Sequence, residues 1–462
     1  MALSLLAAVL LWAALPPLDA WPLAWLAPLP WIMLAERQDW SSRRPYLQIW
    51  LAGFAFWLAS VYWLMLPHPA TALGWLALSF YLAFYWPVFI GLLRVAVHVW
   101  RMPMLVAAPL IYLGLELARG HLLTGFEMTG LGHSQYRWLA LAQIADLAGI
   151  GGVSAVIVFV AAALVRMLPL AGRKFAWWPL LPAAAALGLC LAYGHWRLAQ
   201  QSTRPGPTVA LIQGSIDITM KMDAAQTDRI LGEYVELTRE AVADGKNLDL
   251  IVWPETMFRT PWFIFEGDAQ PPAAWGVTAR QAEEFSRTAV HEGTGKFGVP
   301  ILLGIDTLRA NPSETFHYNS AIYFDRDSQP HGRYDKIHRV MFGEYVPFAD
   351  WFPWLYRLTP LPGGLNPGAG PVAIETNSAV GPVCYAPNIC FESTLSHFIR
   401  WQVETLRRQG AEPDVLVNLT NDGWFWGSSE LEMHLSCDAF RAIECRKPML
   451  IAANTGISAW IE

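Results

Sequence analysis

Long runs with almost no charged residues fill the first 200 positions, and they constrain the fold more than any other feature. Seven such runs can be drawn, at about residues 2–18, 20–35, 46–66, 71–93, 102–118, 147–165 and 175–195. About 20 apolar residues cross the hydrocarbon core of a bilayer as a helix, because a helix satisfies its own backbone hydrogen bonds there. The sequence therefore predicts a transmembrane domain of about seven helices over residues 1–196.

The basic residues of the connecting loops predict how these spans are oriented. They cluster in alternate loops, between spans two and three, four and five, and six and seven: Arg37, Arg43, Arg44, Arg94, Arg101, Arg166, Arg173 and Lys174. Loops rich in Lys and Arg face the cytoplasm, so seven spans that begin inside place everything after residue 196 on the outer face of the membrane. Arg119 and Arg137 in the outward loop 119–146 depart from this pattern, and three acidic neighbours offset them.

After residue 196 the pattern changes to that of a water-soluble domain. Residues 197–207 are polar and proline-rich, which is typical of a linker. Over residues 208–462, short apolar runs alternate with amphipathic stretches, which indicates a layered α/β domain. Strands are predicted at 208–213, 248–254, 299–305, 317–325, 331–338, 379–391, 414–420 and 449–457, and helices at 224–244, 278–293, 394–409 and 430–446.

Charge and cysteine content exclude several classes of function. Residues 1–200 carry 11 basic and 6 acidic residues, a net +5, which leaves 21 basic and 32 acidic residues, a net −11, for the rest of the chain. An acidic soluble half without a basic patch does not bind nucleic acid. The five cysteines lack the spacing of a zinc site or a disulfide framework, so we expect no metal and no other cofactor.

Three short motifs at the ends of predicted strands carry the residues suited to chemistry. They are WPET at 253–256 with Glu255, YDK at 334–336 with Lys336, and NICFE at 388–392 with Cys390. A cysteine thiolate can form a thioester, and it needs a base or a positive charge to activate it. Glu255 can accept the thiol proton, and Lys336 can stabilise the oxyanion of a tetrahedral intermediate. Each residue taken alone would be an ordinary core or surface side chain, so the prediction depends on the set.

The order and spacing of these motifs resemble the nitrilase superfamily, whose Glu-Lys-Cys triad they match residue by residue. With the preceding spans, the chain is similar to the apolipoprotein N-acyltransferase family of bacterial membrane enzymes. Further motifs of that family are LTGF at 123–126, GHSQ at 132–135, NDGWF at 421–425, RAIE at 441–444 and NTGIS at 454–458. The resemblance implies a polytopic α-helical membrane domain followed by an α/β nitrilase-like αββα sandwich domain on the periplasmic face of the inner membrane.

The resemblance also implies a reaction and its participants. A phospholipid, with phosphatidylethanolamine as the expected donor, would acylate Cys390, and the α-amine of a diacylglyceryl apolipoprotein would then accept the acyl chain. Glu344, in FGEYVP at 342–347, would be a second carboxylate that positions Lys336 or assists proton transfer. Substrate contacts are expected from Tyr345, Phe391 and Glu392.

Two stretches rich in Trp and Phe follow the motifs directly. They are residues 257–266, which contain Trp262, and residues 348–358, which contain Trp354. They are either core or arms that dip into the outer leaflet beside the site, where Trp is favoured. The arm interpretation adds Trp262 and Trp354 to the substrate-binding residues.

Two other functions remain open at this point. In a membrane-tethered nitrilase or amidase, water would resolve the thioester, although a small polar substrate needs neither seven spans nor apolar arms. The other alternative is a structural scaffold with a decayed triad. The intact set of Glu255, Lys336 and Cys390 argues against it.

The sequence departs from the family pattern at three positions: Glu127 and Met341 stand where Pro is usual, and Met222 where Trp is usual. The family also ends with an eighth span, whereas this sequence ends at Glu462. The sequence is therefore either truncated or one span short.

Overall fold

The structure is a computed structural model that describes residues 1–40, 42–170, 173–200, 203–358 and 363–462. Residues 201 and 202 of the predicted linker lie outside these ranges. Contacts divide the chain into two compact units, each described here by itself. The first contains Met1–Ser202, Thr394–His397 and Ser428–Arg446, and the second contains Thr203–Ser393, Phe398–Gly427 and Lys447–Glu462.

Helices make up the N-terminal part of the first unit. They are α1 (Ala2–Ala14), α2 (Pro28–Glu36), α3 (Pro45–Ser60), α4 (Thr71–Ala83), α5 (Tyr85–Arg94), α6 (Met104–His121), α7 (Leu139–Ala142), α8 (Ala145–Met167) and α9 (Leu180–Leu198). Within the described residues, three continuous helical stretches are long and apolar enough to cross a membrane: Thr71–Val99, Met104–Thr124 and Ala145–Met167. They correspond to predicted spans four, five and six.

The other four predicted spans also form helices, in α1, α2, α3 and α9. The first three of these have 13, 9 and 16 residues, which is short for a bilayer core, and α9 has 19. That these helices cross the membrane stays a prediction.

Basic side chains from two of the predicted cytoplasmic loops or their helix ends meet at the end of α2. Glu36 is buried there and accepts a hydrogen bond of 2.9 Å from Arg166 and one of 2.7 Å from Arg173. Arg94 donates to the carbonyl oxygen of Gln38 at 2.9 Å. The ends of α2, α5 and α8 therefore lie on one side of the unit, as the alternation of basic loops predicts.

The second unit is built on two five-stranded sheets within the described residues. The first sheet has the order β1 (Val209–Leu211), β2 (Leu250–Phe265), β3 (Ile301–Ala310), β4 (Thr315–Phe324) and β5 (Pro330–Asp335). The second has the order β10 (Ala459–Ile461), β9 (Met449–Ala453), β8 (Val415–Thr420), β7 (Gly381–Ile389) and β6 (Ile374–Ser378). Each sheet contains three consecutive parallel strands, β1–β3 and β7–β9. Antiparallel strands continue the first sheet beyond β3 and flank the parallel strands of the second sheet on both sides.

Side chains from both sheets interdigitate in a shared core, so the sheets form a sandwich. Val252 and Leu302 of the first sheet and Tyr385 and Val417 of the second belong to this core. The helices of this unit are α10 (Ile218–Met222), α11 (Thr227–Ala243), α12 (Ala279–Thr294) and α13 (Ser396–Arg408), the last of which begins in segment Thr394–His397 of the first unit. α11 and α12 pack on the outer face of the first sheet in a second core, which completes that side of the αββα arrangement. Helix α14 (Glu430–Cys445) belongs to the first unit.

Strand β2 continues past its predicted end at residue 254 to Phe265, and this corrects one expectation. The pairing with β3 shifts register between Trp253 and Phe258 and again before Trp262, and the strand then resumes. Trp262 is 5% exposed and packs edge-to-face on Phe324, with ring centroids 5.2 Å apart. The predicted membrane arm at 257–266 is therefore wrong at Trp262, because the strand carries this side chain into the core.

Candidate active site

Glu255 lies at the irregular point of β2 and is the last residue of the buried run that begins at Leu250. Its side chain is mostly buried, and Oε1 accepts a hydrogen bond of 2.7 Å from Nδ2 of Asn319 on β4. Gly304 on β3 faces this irregularity, and a Cβ there would lie 2.1 Å from the carbonyl oxygen of Pro254. Only glycine allows β3 to approach so closely, which fixes the carboxylate against the sheet.

Lys336 follows β5 and is held from both ends. Its backbone N–H donates to the carbonyl oxygen of Asn319 at 2.8 Å, and its side chain is 2% exposed. Nζ lies 2.6 Å from Oε1 of Glu344 and 3.5 Å from Oε1 of Glu255. Burial alone lowers the pKa of Lys336, but these carboxylates outweigh burial and raise it well above its usual range. The side chain is therefore a fixed positive charge.

Glu344 comes from the loop after β5. Oε1 accepts a hydrogen bond from the Lys336 ammonium, and Oε2 accepts one of 2.8 Å from the backbone N–H of Val340. The carboxylate thus uses one oxygen to hold the cation and the other to fix its own loop.

Cys390 stands at the turn from β7 into the short helix Cys390–Thr394. Its φ of +53° lies in the left-handed region, which is strained for a residue with a side chain. The turn is held by its carbonyl oxygen, which accepts from Nδ2 of Asn418 at 3.1 Å and from Oγ of Ser393 at 3.2 Å. Strand-to-helix turns of this kind present a nucleophile at the end of a sheet.

The electrostatic surroundings of the Cys390 thiol show that it needs a base. Burial raises its pKa most, the charge of Glu255 raises it further, and Lys336 opposes both, with a net pKa well above the usual range of a thiol. The resting side chain is accordingly neutral. A neutral thiol that is under the electrostatic influence of a carboxylate and an ammonium can lose its proton to the carboxylate as it attacks a carbonyl group.

Glu392 lies two residues after Cys390 and is fully buried. One oxygen accepts from the backbone N–H groups of Ile337 and His338 at 2.7 and 2.8 Å. The other accepts from the Tyr334 hydroxyl at 2.8 Å and from the Ile389 N–H at 2.7 Å. With four protein donors on its carboxylate, Glu392 joins the strand end that carries Lys336 to the turn that carries Cys390.

The remaining predicted substrate contacts differ in their surroundings. Tyr345 is half-buried under the guanidinium of Arg339, 4.4 Å from its ring centroid, and Phe391 is partly exposed. Trp354 is 55% exposed, in a segment where Phe348, Trp351 and Phe352 are exposed as well. Trp262 differs from these residues, because its side chain is buried in the core.

Two residues at this site were missed by sequence reasoning. Asn319 binds Glu255, and its signal is a polar residue within a mostly apolar stretch of strand, in YNSAIYF at 318–324. Lys221 is buried and donates to the backbone of Glu255, and no sequence pattern distinguishes it from an exposed lysine.

Comparison with known proteins identifies the family of this chain. The chain matches the family described as apolipoprotein N-acyltransferase N-terminal domain over residues 7–163 and the carbon-nitrogen hydrolase family over residues 208–462. Apolipoprotein N-acyltransferase of Rhodopirellula baltica is 30% identical, over 98% of this chain and 86% of that protein. Apolipoprotein N-acyltransferase of Geobacter metallireducens is 33% identical, over 100% of this chain and 84% of that protein.

Among solved structures, an amidase from Nesterenkonia sp. matches 56% of this chain and 82% of its own, at 14% identity and a TM-score of 0.34. The two relatives, by contrast, align along both the helical and the sandwich parts of the chain. The chain belongs to the apolipoprotein N-acyltransferase family.

Proposed function

We propose that this chain transfers an acyl chain from a phospholipid to the N-terminal α-amine of a diacylglyceryl apolipoprotein, through a thioester on Cys390. The observation that carries the proposal is the position of Lys336, buried between Glu255 and Glu344 with the Cys390 thiol within the reach of their charges. The names of the relatives supply the class of acceptor. Phosphatidylethanolamine is the donor that the family resemblance implies.

In the first half-reaction, Glu255 takes the thiol proton as Sγ of Cys390 attacks the ester carbonyl carbon of the phospholipid. The tetrahedral oxyanion forms beside the Lys336 ammonium, which stabilises its charge. The bond from carbon to the ester oxygen then breaks, and Glu255 returns the proton to the departing lysophospholipid alkoxide. Cys390 is left as a thioester, its former thiol proton leaves with the lysophospholipid, and Glu255 is a carboxylate again.

In the second half-reaction, the α-amine of the apolipoprotein attacks the thioester carbonyl carbon. Glu255 accepts a proton from the attacking nitrogen, and Lys336 again stabilises the oxyanion. The bond from carbon to Sγ breaks as the amide forms, and Glu255 returns the proton to the Cys390 thiolate. The thiol, the carboxylate and the ammonium are then as they began.

Glu344 and Glu392 act in this scheme through other groups. Glu344 fixes the Lys336 ammonium by its 2.6 Å contact, so the cation is in place before the oxyanion forms. Glu392 already receives four hydrogen bonds from the protein, which favours a positioning role over the substrate contact expected from the sequence.

The exposed aromatic segment at 348–354 is the part of the soluble unit best suited to contact lipid. Phe348, Trp351, Phe352 and Trp354 are between 51% and 75% exposed. Water-exposed aromatic clusters mark interaction surfaces, and Trp is favoured at the membrane interface. We place this segment at the outer leaflet of the inner membrane, on the periplasmic side given by the basic loops.

The test is the intact mass of the purified protein after incubation with phosphatidylethanolamine vesicles. The parent should gain the mass of one acyl chain, hydroxylamine should remove it, and a diacylglyceryl-cysteine peptide should take it up as an amide. Cys390→Ala and Cys390→Ser should fold and form no hydroxylamine-labile adduct, since the change removes the thiol and little volume. Cys384→Ser, at a buried thiol away from the motifs, is the matched control and should acylate like the parent.

A thioester in Cys390→Ala would contradict the assignment of the nucleophile. Rapid loss of the acyl group to water without any amine would instead favour the alternative of a membrane-tethered amidase.

A further inference from the structure

Lys221 is a second buried ammonium beside the candidate base. It lies in the short helix α10 and is 5% exposed, whereas the next residue, Met222, is 65% exposed. Burying a charged group is costly unless it is paired or hydrogen-bonded. The side chain is thus directed inward at a cost that its contacts must offset.

The contacts of Lys221 are with the peptide segment that carries Glu255. Nζ donates to the carbonyl oxygen of Glu255 at 3.2 Å and to Oγ1 of Thr256 at 2.5 Å. Thr256 has a φ of +51°, in the left-handed region, where a β-branched residue is strained. The ammonium therefore donates two hydrogen bonds to the strained segment that carries the carboxylate.

The charges that face Lys221 come from several elements of the same unit. They are those of Glu255, Asp306, Arg259 and the Cys390 thiol. Burial lowers the pKa of Lys221 most, Glu255 and Asp306 oppose it, and the result is about 8. At pH 7 the side chain is accordingly protonated and adds positive charge next to Glu255.

We propose that Lys221 is a positioning residue for Glu255: it fixes the strained turn at Thr256, aims the carboxylate at the Cys390 thiol, and adds a second positive charge to the site. This inference rests on the proposed acyl transfer for its main readout. It predicts that Lys221 affects the rate of the chemical step and leaves phospholipid binding unchanged, because its contacts are with the protein.

The experiment measures single-turnover acylation of Cys390 against phosphatidylethanolamine concentration in the full-length protein. Lys221→Met removes the charge and the donors but keeps a similar length. Its maximal rate should fall by about 10²-fold, the scale of a misplaced catalytic group, with the half-saturating lipid concentration unchanged. Lys221→Arg keeps the charge and donors and should recover most of the rate. Lys246→Met is the matched control, since Lys246 is an exposed lysine paired with Asp244.

A Lys221→Met variant within about threefold of the parent rate would overturn the proposal, as would a loss confined to the half-saturating concentration. Where Lys221→Met fails to fold, Thr256→Val decides, because it removes one acceptor of Nζ and keeps the side-chain shape. It should acylate several-fold more slowly than the parent, and a parent-like rate would exclude the role.

A second readout separates this inference from the proposed function. Alkylation of Cys390 by iodoacetamide, followed by peptide mass spectrometry, requires no lipid. It should be several-fold slower in Lys221→Met than in the parent and the Lys246→Met control. A parent that forms no acyl adduct would refute the proposed acyl transfer, whereas equal alkylation rates in all variants would refute the role of Lys221.

Discussion

Lys336 lies closer to Glu344 than to Glu255: its Nζ is 2.6 Å from the first carboxylate and 3.5 Å from the second. The two carboxylates therefore have different roles. Glu344 holds the cation, and Glu255, with its oxygen also bound by Asn319, keeps a looser contact that it can exchange for a proton from Cys390 or from an amine.

Glu344→Gln is expected to slow acylation of Cys390 by about 10- to 100-fold, because a hydrogen bond to a charged group contributes about 1.5–3 kcal/mol. The amide keeps the shape of the side chain but loses the charge that fixes Lys336. The time course of the acyl adduct by intact mass measures the effect. Glu375→Gln, at an exposed position of β6, should react at the parent rate. Parent-like acylation of Glu344→Gln would show that Lys336 is fixed by Glu255 and its backbone alone.

Lys336→Ala should reduce the acylation rate by about 10²–10³-fold, the usual loss when one oxyanion donor is removed. Lys336→Arg should restore little of it, because a planar guanidinium does not fit where a compact ammonium lies between two carboxylates. Both rates come from the same mass time course, with circular dichroism as the check of folding. A folded Lys336→Ala variant within a few-fold of the parent would assign oxyanion stabilisation to backbone donors.

Much of the fold follows from local patterns in the sequence. The eight predicted strands and four predicted helices of the soluble half are present, because alternation and helical spacing reflect which face of each element is buried. Two strands were missed, Ile374–Ser378 and Ala459–Ile461. Both are short edge strands that pair on one side only, and five and three residues are too few for a pattern to show.

The site was predicted unevenly, for physical reasons. Glu255, Lys336 and Cys390 stand in motifs at strand ends, and the structure brings their charges together. Lys221 and Asn319 could not be assigned to the site in this way, because neither stands in such a motif and only the tertiary structure brings them to Glu255. Trp262 was misjudged because a strand with two register shifts leaves no regular alternation from which its burial could be inferred.

Trp262 and Trp354 should now respond differently to substitution by Ser. Trp262→Ser removes a core ring, so it should cost about 3–5 kcal/mol of stability and lower acylation and iodoacetamide reactivity together. Trp354→Ser removes an exposed ring, so it should keep the thermal unfolding temperature and the reactivity of Cys390 with iodoacetamide. It should slow acylation from vesicles several-fold, because lipid capture is weakened. Unchanged acylation from vesicles in Trp354→Ser would remove the support for lipid contact at this segment.

Glu127 makes contacts within the helical unit that a proline could not. Its Oε2 accepts a hydrogen bond of 2.8 Å from the Ser396 N–H and lies 3.9 Å from Arg441, while Oε1 lies 3.7 Å from His397. Burial raises the pKa of Glu127, but His397, Arg441 and Ser396 outweigh burial and lower it to about 2. The carboxylate therefore stabilises the folded chain when it is ionised.

The pH dependence of this contribution has a definite sign. Because the folded pKa lies below the unfolded value near 4.5, the stabilisation is fully present above that value and is lost as the pH falls towards 2. Glu127→Gln should thus lower stability at pH 7 by up to about 3 kcal/mol, at about 1.4 kcal/mol per pKa unit. Thermal unfolding should be measured in detergent from pH 7 to pH 3. The difference in unfolding temperature between parent and variant should narrow below about pH 4.5. Asp39→Asn, at an exposed acidic residue of the same unit, should show no gap at any pH. A gap for Glu127→Gln that stays constant down to pH 3 would mean that shape at this position, and not the ionised carboxylate, supports the packing.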